Sequence, residues 1–272
     1  MNKSRIATVL ALFTALVFQS CVFADAQIIW LSSSKKTDFS NCDSETRQVK
    51  PFNSIHNESP IDIILVQSDV QRVIVEGDEP YFERLHTDVS NGRLTIRMDK
   101  GNYRNVRLRV RIDCPEVRSI SMAGSGDLVC ESDLTTDEKL SITLAGSCDI
   151  STMAINSSQF NVSVAGSGDI NIESVETGES SISIAGSGDA KINKLIAKEA
   201  MINIAGSGDI NILRAVIYDE TDIKIAGSGD VKIDGSTDKV SVSIVGSGDV
   251  SGHFEYNTIE KKKVGSGDIT FY

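Results

Sequence analysis

Eight aspartates recur in this chain behind one short motif: Asp127, Asp149, Asp169, Asp189, Asp209, Asp230, Asp249 and Asp268. Seven of them close a Gly-Ser-Gly-Asp tetrapeptide. Asp149 closes the variant Gly-Ser-Cys-Asp, with Cys148 in place of the second glycine. Carboxylates in series can hold calcium, serve a polysaccharide-cleaving site, recognise a cationic or polyol ligand, or accept backbone N–H groups in their own turns. These chemistries ask for different surroundings. The known repeat-borne calcium motif, G-G-x-G-x-D, returns every nine residues. Here the aspartates lie 22, 20, 20, 20, 21, 19 and 19 residues apart, and the leading glycine pair is missing. A lyase needs an irregular cluster of base and calcium carboxylates in a groove, and no such cluster interrupts the regular spacing. If the aspartates stack, neighbouring charges about 5 Å apart repel by roughly 1 kcal/mol in water. An Asx-type hydrogen bond inside each turn would offset that cost. The eight residues therefore read as a structural corner ridge that requires no cofactor, with calcium at the corners as the alternative.

Other chemistry finds no support. His56, His86 and His253 are isolated from one another, without metal-ligand spacing. The "AGSGD" stretch is neither the G-x-S-x-G nucleophile elbow nor a dinucleotide fingerprint. The cysteines show no C-x-x-C pair, which argues against zinc. A formal charge of −11 argues against a nucleic-acid partner.

The elements that must position the aspartates follow from the residues beside them. Two and four places before the first glycine stand Ile120/Met122, Ile142/Leu144, Val162/Val164, Ile182/Ile184, Ile202/Ile204, Ile223/Ile225 and Val242/Ile244. After the aspartates come Leu128, Ile150, Ile170, Ala190, Ile210, Val231, Val250 and Ile269. Alternation of β-branched apolar and polar residues marks strands with one buried face. Each copy is thus strand, tight corner, strand, with a polar and variable return path such as "ESVETGES" (173–180). A unit of about twenty residues cannot bury its apolar face alone, but stacked copies can. The fold predicted is all-β, a right-handed parallel β-helix with about twenty residues per coil and a corner ridge roughly 34 Å long. In the last copy Lys261 and Lys263 take the apolar positions, as suits an outermost coil with an open edge.

Residues 49–272 are read as one β-helix domain, with the corner repeats from 120 to 272. Before the repeats, "IDIILVQ" (61–67), "RVIVEGD" (72–78), "RLTIRM" (93–98) and "VRLRVRI" (106–112) read as strands of its first coils. "EPYFERLHTDV" (79–89) reads as a short helix opened by Pro80. Arg107, Arg109 and Arg111 share one outward face, a solvated strand face with an anionic-ligand surface as the sharper alternative. Residues 27–48 have no period and read as a tether.

The first 26 residues read as an export signal, with Lys3 and Arg5 ahead of the 13-residue apolar run "IATVLALFTALVF". "ADA" (24–26) would release a chain beginning at Gln27. "FQSC" (18–21) instead resembles a lipobox ending at residue 20, with Cys21 lipidated. Export leaves Cys42, Cys114, Cys130 and Cys148 open either to disulfides or to burial as small hydrophobes.

With its serial "AGSGD" corners at 123–127, 165–169, 185–189, 205–209 and 226–230, the chain resembles the auto-transporter adhesin, head GIN domain family of bacterial exported proteins. The stretch "FNSIHNESPIDIILVQSDVQRVIVEGDEPYFERLHTDVSNGRLTIRM" (52–98) is similar to the family's opening, and the likeness covers roughly 50–272. The resemblance implies a β-helix shaped like the pectin lyases without their catalytic residues, in gut and environmental Bacteroidetes. It implies a non-catalytic, exported protein of the periplasm, outer membrane or cell surface of a Gram-negative bacterium, with an adhesive or structural role. A polysaccharide-binding or polysaccharide-degrading β-helix is the alternative. The partner expected is a surface glycan or protein, with contact to a membrane only through a lipid anchor. Self-association is compatible with the fold.

Overall fold

The computed structural model describes residues 39, 41–103 and 105–272, and Phe39–Tyr272 forms one compact unit. The export signal, Cys21 and most of the tether lie outside the described residues. The strict apolar–polar alternation produces what it predicts, a parallel β-solenoid of about eight turns with coils some 20 residues apart. Each coil has a strand before the Gly-Ser-Gly-Asp corner, a short strand after it and a third strand on the return path. The third strand and the strand before the next corner often run together, as in Ile170–Gly186 and Ile210–Gly227.

Register is held by identity. Ile182 pairs with Ile202, Ile202 with Ile223 and Ile223 with Val242, while Gly186 pairs with Gly206, Gly206 with Gly227 and Gly227 with Gly246. The inward ladders built this way are almost solvent-free: Ile182, Ile202 and Ile223 are each 0% exposed. A fully buried Ile or Val contributes about 1.5–3 kcal/mol relative to leaving it in water. A one-residue slip would turn the whole ladder outward. The unequal spacing of the repeat is absorbed elsewhere. Between the coils at 195–206 and 215–227 the offset changes from Ala197↔Ile217 to Glu199↔Glu220, so the extra residue sits on the return path near Tyr218. The next coil reverses the change between Val216↔Ser236 and Glu220↔Lys239. The corners stay in register.

The N-terminal region departs from sequential coils. Its strands are β1 (Asp43–Arg47), β2 (Ser54–Asn57), β3 (Asp62–Gln67), β4 (Arg72–Gly77) and β5 (Leu85–Ser90). β6 (Arg93–Met98), β7 (Leu108–Cys114), β8 (Ser119–Met122) and β9 (Leu128–Cys130) follow. The coil β2–β3 is sandwiched: β2 pairs in parallel with both β6 and β8, and β3 with both β7 and β9. Chain order and stacking order therefore differ. Beyond this, β4 pairs antiparallel with β7 and with β1, and β5 pairs antiparallel with β6. Antiparallel strands cover the edges that coil β6–β7 would otherwise leave open.

Two expectations need correction here. The tether's end at 43–47 is a strand; its residues are nearly all exposed, so it carries no alternation to read, and backbone pairing to β4 together with the Arg47 guanidinium, which donates to Phe82 O at 2.6 Å, fixes it. The short helix expected over 79–89 is a 3-10 helix only over Glu79–Arg84, with Pro80 in its first turn as expected. From Leu85 the chain is strand β5, because the Asn91–Gly92 turn, with φ of 51° and 73°, folds it back on β6 as a hairpin.

The glycines set the packing distance between coils. Gly206 has φ of 147°, and a Cβ there would lie 2.2 Å from the carbonyl oxygen of Gly186 in the preceding coil. At Gly208 a Cβ would lie 2.0 Å from the oxygen of Gly188. Gly206→Ala should therefore destabilise the fold by more than 1 kcal/mol, since both backbone angle and space forbid the methyl, whereas the exposed Ser207→Ala should stay within about 0.5 kcal/mol. Urea unfolding of the two variants beside the parent measures this.

Candidate functional site: the aspartate ridge

Each corner brings its aspartate onto the next. The Oδ1 of Asp127 accepts the backbone N–H of Asp149 at 2.9 Å, and Asp149 does the same for Asp169 at 2.9 Å. Asp169 accepts from Asp189 at 2.9 Å, Asp189 from Asp209 at 2.8 Å and Asp209 from Asp230 at 2.8 Å. Asp230 accepts from Asp249 at 2.8 Å and Asp249 from Asp268 at 2.7 Å. The carboxylate does not bind its own turn, as an Asx-turn would; it binds the corresponding residue one coil on. The physical reason is the stacking itself. Strand pairing ends at the corner, which leaves one N–H per coil facing the carboxylate of the coil before it.

The backbone closes the same junction from the other side. Ile170 N donates to Asp189 O at 2.9 Å, and Ala190 N donates to Asp209 O at 2.9 Å. Neighbouring corners thus exchange two hydrogen bonds in opposite directions. The charged acceptor makes one of them stronger than an ordinary amide bond. This arrangement compensates the repulsion between stacked carboxylates.

The ridge reaches further than the motif. Asp62 Oδ1 accepts Asp127 N at 3.0 Å. The corner Ser59–Pro60–Ile61–Asp62 lies beneath Gly124 and Gly126, whose absent Cβ atoms would meet the oxygens of Ser59 and Ile61 at 2.2 Å. Asp62 shows no glycine before it, which hid it; its only sequence signal is Ile63, an apolar residue of the kind that directly follows every ridge aspartate. A second corner repeats the device sparsely, with Asp133 accepting Ala154 N at 3.1 Å and Asp234 accepting His253 N at 2.7 Å. At its other end the ridge meets Lys263, which pairs with Asp268 at 3.1 Å.

Electrostatics along the ridge are uneven. The carboxyl of Asp127 is pushed above its ordinary range, chiefly by burial and further by repulsion from Asp62 and Asp149, against the lowering effect of the Asp149 N–H. Among the described residues no three His, Cys, Asp or Glu side chains converge to hold a metal ion. The carboxylates run side by side along a corner, each with one oxygen engaged, and do not face one another across a cleft. The ridge is suited to joining coils and to presenting a row of second oxygens to solvent.

The remaining sequence candidates are placed as follows. Arg109 pairs with Glu76 at 2.5 Å, Arg107 with Asp78 at 3.1 Å and Arg111 with Glu131 at 3.2 Å. Their face is occupied by these acidic partners. Asp78 is held below the ordinary carboxylate range, first by the Arg107 backbone N–H. Cys114, Cys130 and Cys148 are buried thiols and no disulfide links them; burial pushes all three up, away from thiolate. Cys148 takes the second glycine position with its side chain buried, Sγ 3.8 Å from Met122 O. Cys21 lies outside the described residues.

Comparison with known proteins agrees with this architecture. A family model described as "Putative auto-transporter adhesin, head GIN domain" matches residues 51–237. A crystal structure described as a putative adhesin from Parabacteroides merdae matches with a TM-score of 0.75 at 20% identity, covering 85% of this chain and 97% of that one. A second, described as a putative adhesin from Parabacteroides distasonis, gives 0.74 at 22% identity over 84% and 96%. A third from the same organism, described as a putative lipid binding protein, gives 0.63 at 23% identity over 85% and 97%. The curated proteins gave no match.

Two expectations follow from the ridge. Asp189→Ala, which removes the acceptor for Asp209 N–H, should cost about 1 kcal/mol or more, and Asp189→Asn, which keeps a side-chain oxygen, should cost less. Thermal unfolding of the pair checks this. Asp127 has a raised pKa in the fold, so its charge costs stability fully above that raised value. The cost fades as pH falls through it and is gone below the ordinary 3.8. Asp127→Asn should therefore stabilise at pH 7 and lose that advantage at acid pH, as read from unfolding at the two pH values.

Proposed function

The chain belongs to the family described as "Putative auto-transporter adhesin, head GIN domain", and on that premise we propose that it is a non-catalytic adhesive or structural protein of the bacterial envelope. The observation that carries this reading is the regularity of its acidic residues. Catalysis by paired carboxylates requires two groups flanking a substrate across a cleft. Here the carboxylates form one line along a corner, and each spends an oxygen on a backbone N–H of the next coil. A rigid ladder with long flat faces suits binding by surface complementarity.

Export supports the same reading. The apolar run at 6–18 and the cysteine that follows it fit a leader, with Cys21 as the site of lipid attachment and the outer membrane or cell surface as destination. Among the described residues no helix is long and apolar enough to cross a membrane. A lipid at Cys21 is the anchor proposed. A surface glycan or protein is the partner proposed.

Mass spectrometry of the mature chain from envelope fractions tests the anchor: a diacylglyceryl-modified Cys21 at the N-terminus is expected, and an unmodified Gln27 start contradicts it. Beads coated with the purified chain should adhere to polysaccharide- or protein-coated surfaces more than albumin-coated beads do. Turnover of an acidic polysaccharide by the same preparation would replace this reading with the enzymatic one.

A further inference from the structure

One concave feature lies away from the aspartate ridge, at the far end of the short strand that follows the corner. It is a cleft of about 620 Å³ lined by Lys232, Asp234, Ser251, Gly252, His253 and Tyr272. Two of its rings are exposed and lie together: His253 and Tyr272 have centroids 5.0 Å apart with planes inclined at 54°. The His253 side chain is 79% exposed and Tyr272 is 70% exposed. In a chain with only 6% aromatic residues, a solvated ring pair is not needed for the core.

The cleft is held by backbone bonds. His253 N donates to Asp234 Oδ1 at 2.7 Å, and its carbonyl accepts Gly235 N at 2.8 Å. Tyr272 N donates to Gly252 O at 3.1 Å. Gly252 stands where the preceding coils carry Ile192, Ile212 and Ile233, so one lining position is bare backbone. A Cβ there would lie 1.9 Å from Ile233 O. Around the rings stand a donor, an acceptor and a hydroxyl. Lys232 has no ion-pair partner among the described residues, Asp234 Oδ1 takes the His253 N–H and lies 3.7 Å from the His253 ring Nδ1 while its second oxygen stays outside these contacts, and Ser251 pairs with Lys232 through the backbone.

We propose that this cleft binds one pyranose ring of an uncharged glycan, its C–H face laid on Tyr272 with the tilted His253 ring against its edge and its hydroxyls bonded by Lys232, Asp234 and Ser251. Prealigned rings bring large contact area at low entropic cost, and a donor beside an acceptor matches neighbouring sugar hydroxyls. The cleft carries one lysine and one aspartate, so it has no net positive charge, and the chain carries a net charge of −11; both select against polyanionic sugars. The proposal rests on the adhesive reading and adds to it a place and a ligand class.

The test is an NMR titration of the full chain with cellotriose, chitotriose, N-acetyllactosamine and, for contrast, trigalacturonate. At least one of the three neutral sugars should shift the signals of Tyr272 and His253. Tyr272→Ala and His253→Ala should each weaken that binding about tenfold with unchanged melting temperature. Asp234→Asn, which keeps an acceptor for His253 N, checks the hydroxyl contact without removing the backbone bond and should also weaken binding. No shift with any neutral sugar, equal affinity in the ring variants, or tighter binding of trigalacturonate overturns the proposal. Bead adhesion measured in parallel separates the two readings. Beads that adhere as well with Tyr272→Ala as with the parent leave adhesion standing and place it elsewhere, whereas parent beads that never adhere remove the adhesive role.

Discussion

The close approach of backbone to backbone at the corners is the constraint on which the rest of the structure depends. At every repeated corner the carbonyl oxygen of one coil occupies the space where a side chain of the next would begin. Glycine at Gly186, Gly206, Gly227 and Gly246 is therefore a condition of the stacking distance. Once that distance is fixed, the strands on either side are fixed in register too. Ile and Val then fall into continuous buried ladders without any further device.

The aspartate follows from the same geometry. Where the strand turns, the ladder hydrogen bonds are interrupted and one N–H per coil would be left without an acceptor, at a cost of about 1–3 kcal/mol if it were buried. The carboxylate of the preceding coil takes it. The ridge, read in sequence as a structural corner, thus carries the junctions between successive coils. Its charge repulsion is met by charge-assisted bonds along the ridge and, at Asp268, by Lys263. The residue that suffers is Asp127, partly buried between two like charges.

The repeat made most of the fold legible, because period two within strands and period twenty between them are both visible by eye. The parallel solenoid, the inward ladders and the polar Lys261 and Lys263 positions all follow from that pattern. Three features were not legible. The sandwiching of coil β2–β3 between β6–β7 and β8–β9 depends on contacts between distant segments that share no motif. Strand β1 is exposed over nearly all its length and is held by backbone pairing and one Arg47 side-chain bond, neither of which leaves an apolar pattern. Asp62 completes the ridge from a Ser-Pro-Ile-Asp corner that lacks the glycines. At the ridge itself, residue types disclosed that carboxylates stack, but not which coil supplies the N–H. The own-turn bond and the next-coil bond use the same residues at the same spacing, and only the height between coils decides. The cleft at His253 and Tyr272 had no sequence signal at all, since its members are gathered from three successive coils.

The claim that the carboxylates join coils is tested most directly by amide hydrogen exchange, residue by residue, in the parent and in Asp189→Ala. Exchange should accelerate at Asp209, whose N–H loses its acceptor, while the amide at position 189, bonded to Asp169, stays protected. Faster exchange within the turn 187–189 with Asp209 unchanged would show that the aspartates hold their own corners, and would contradict it.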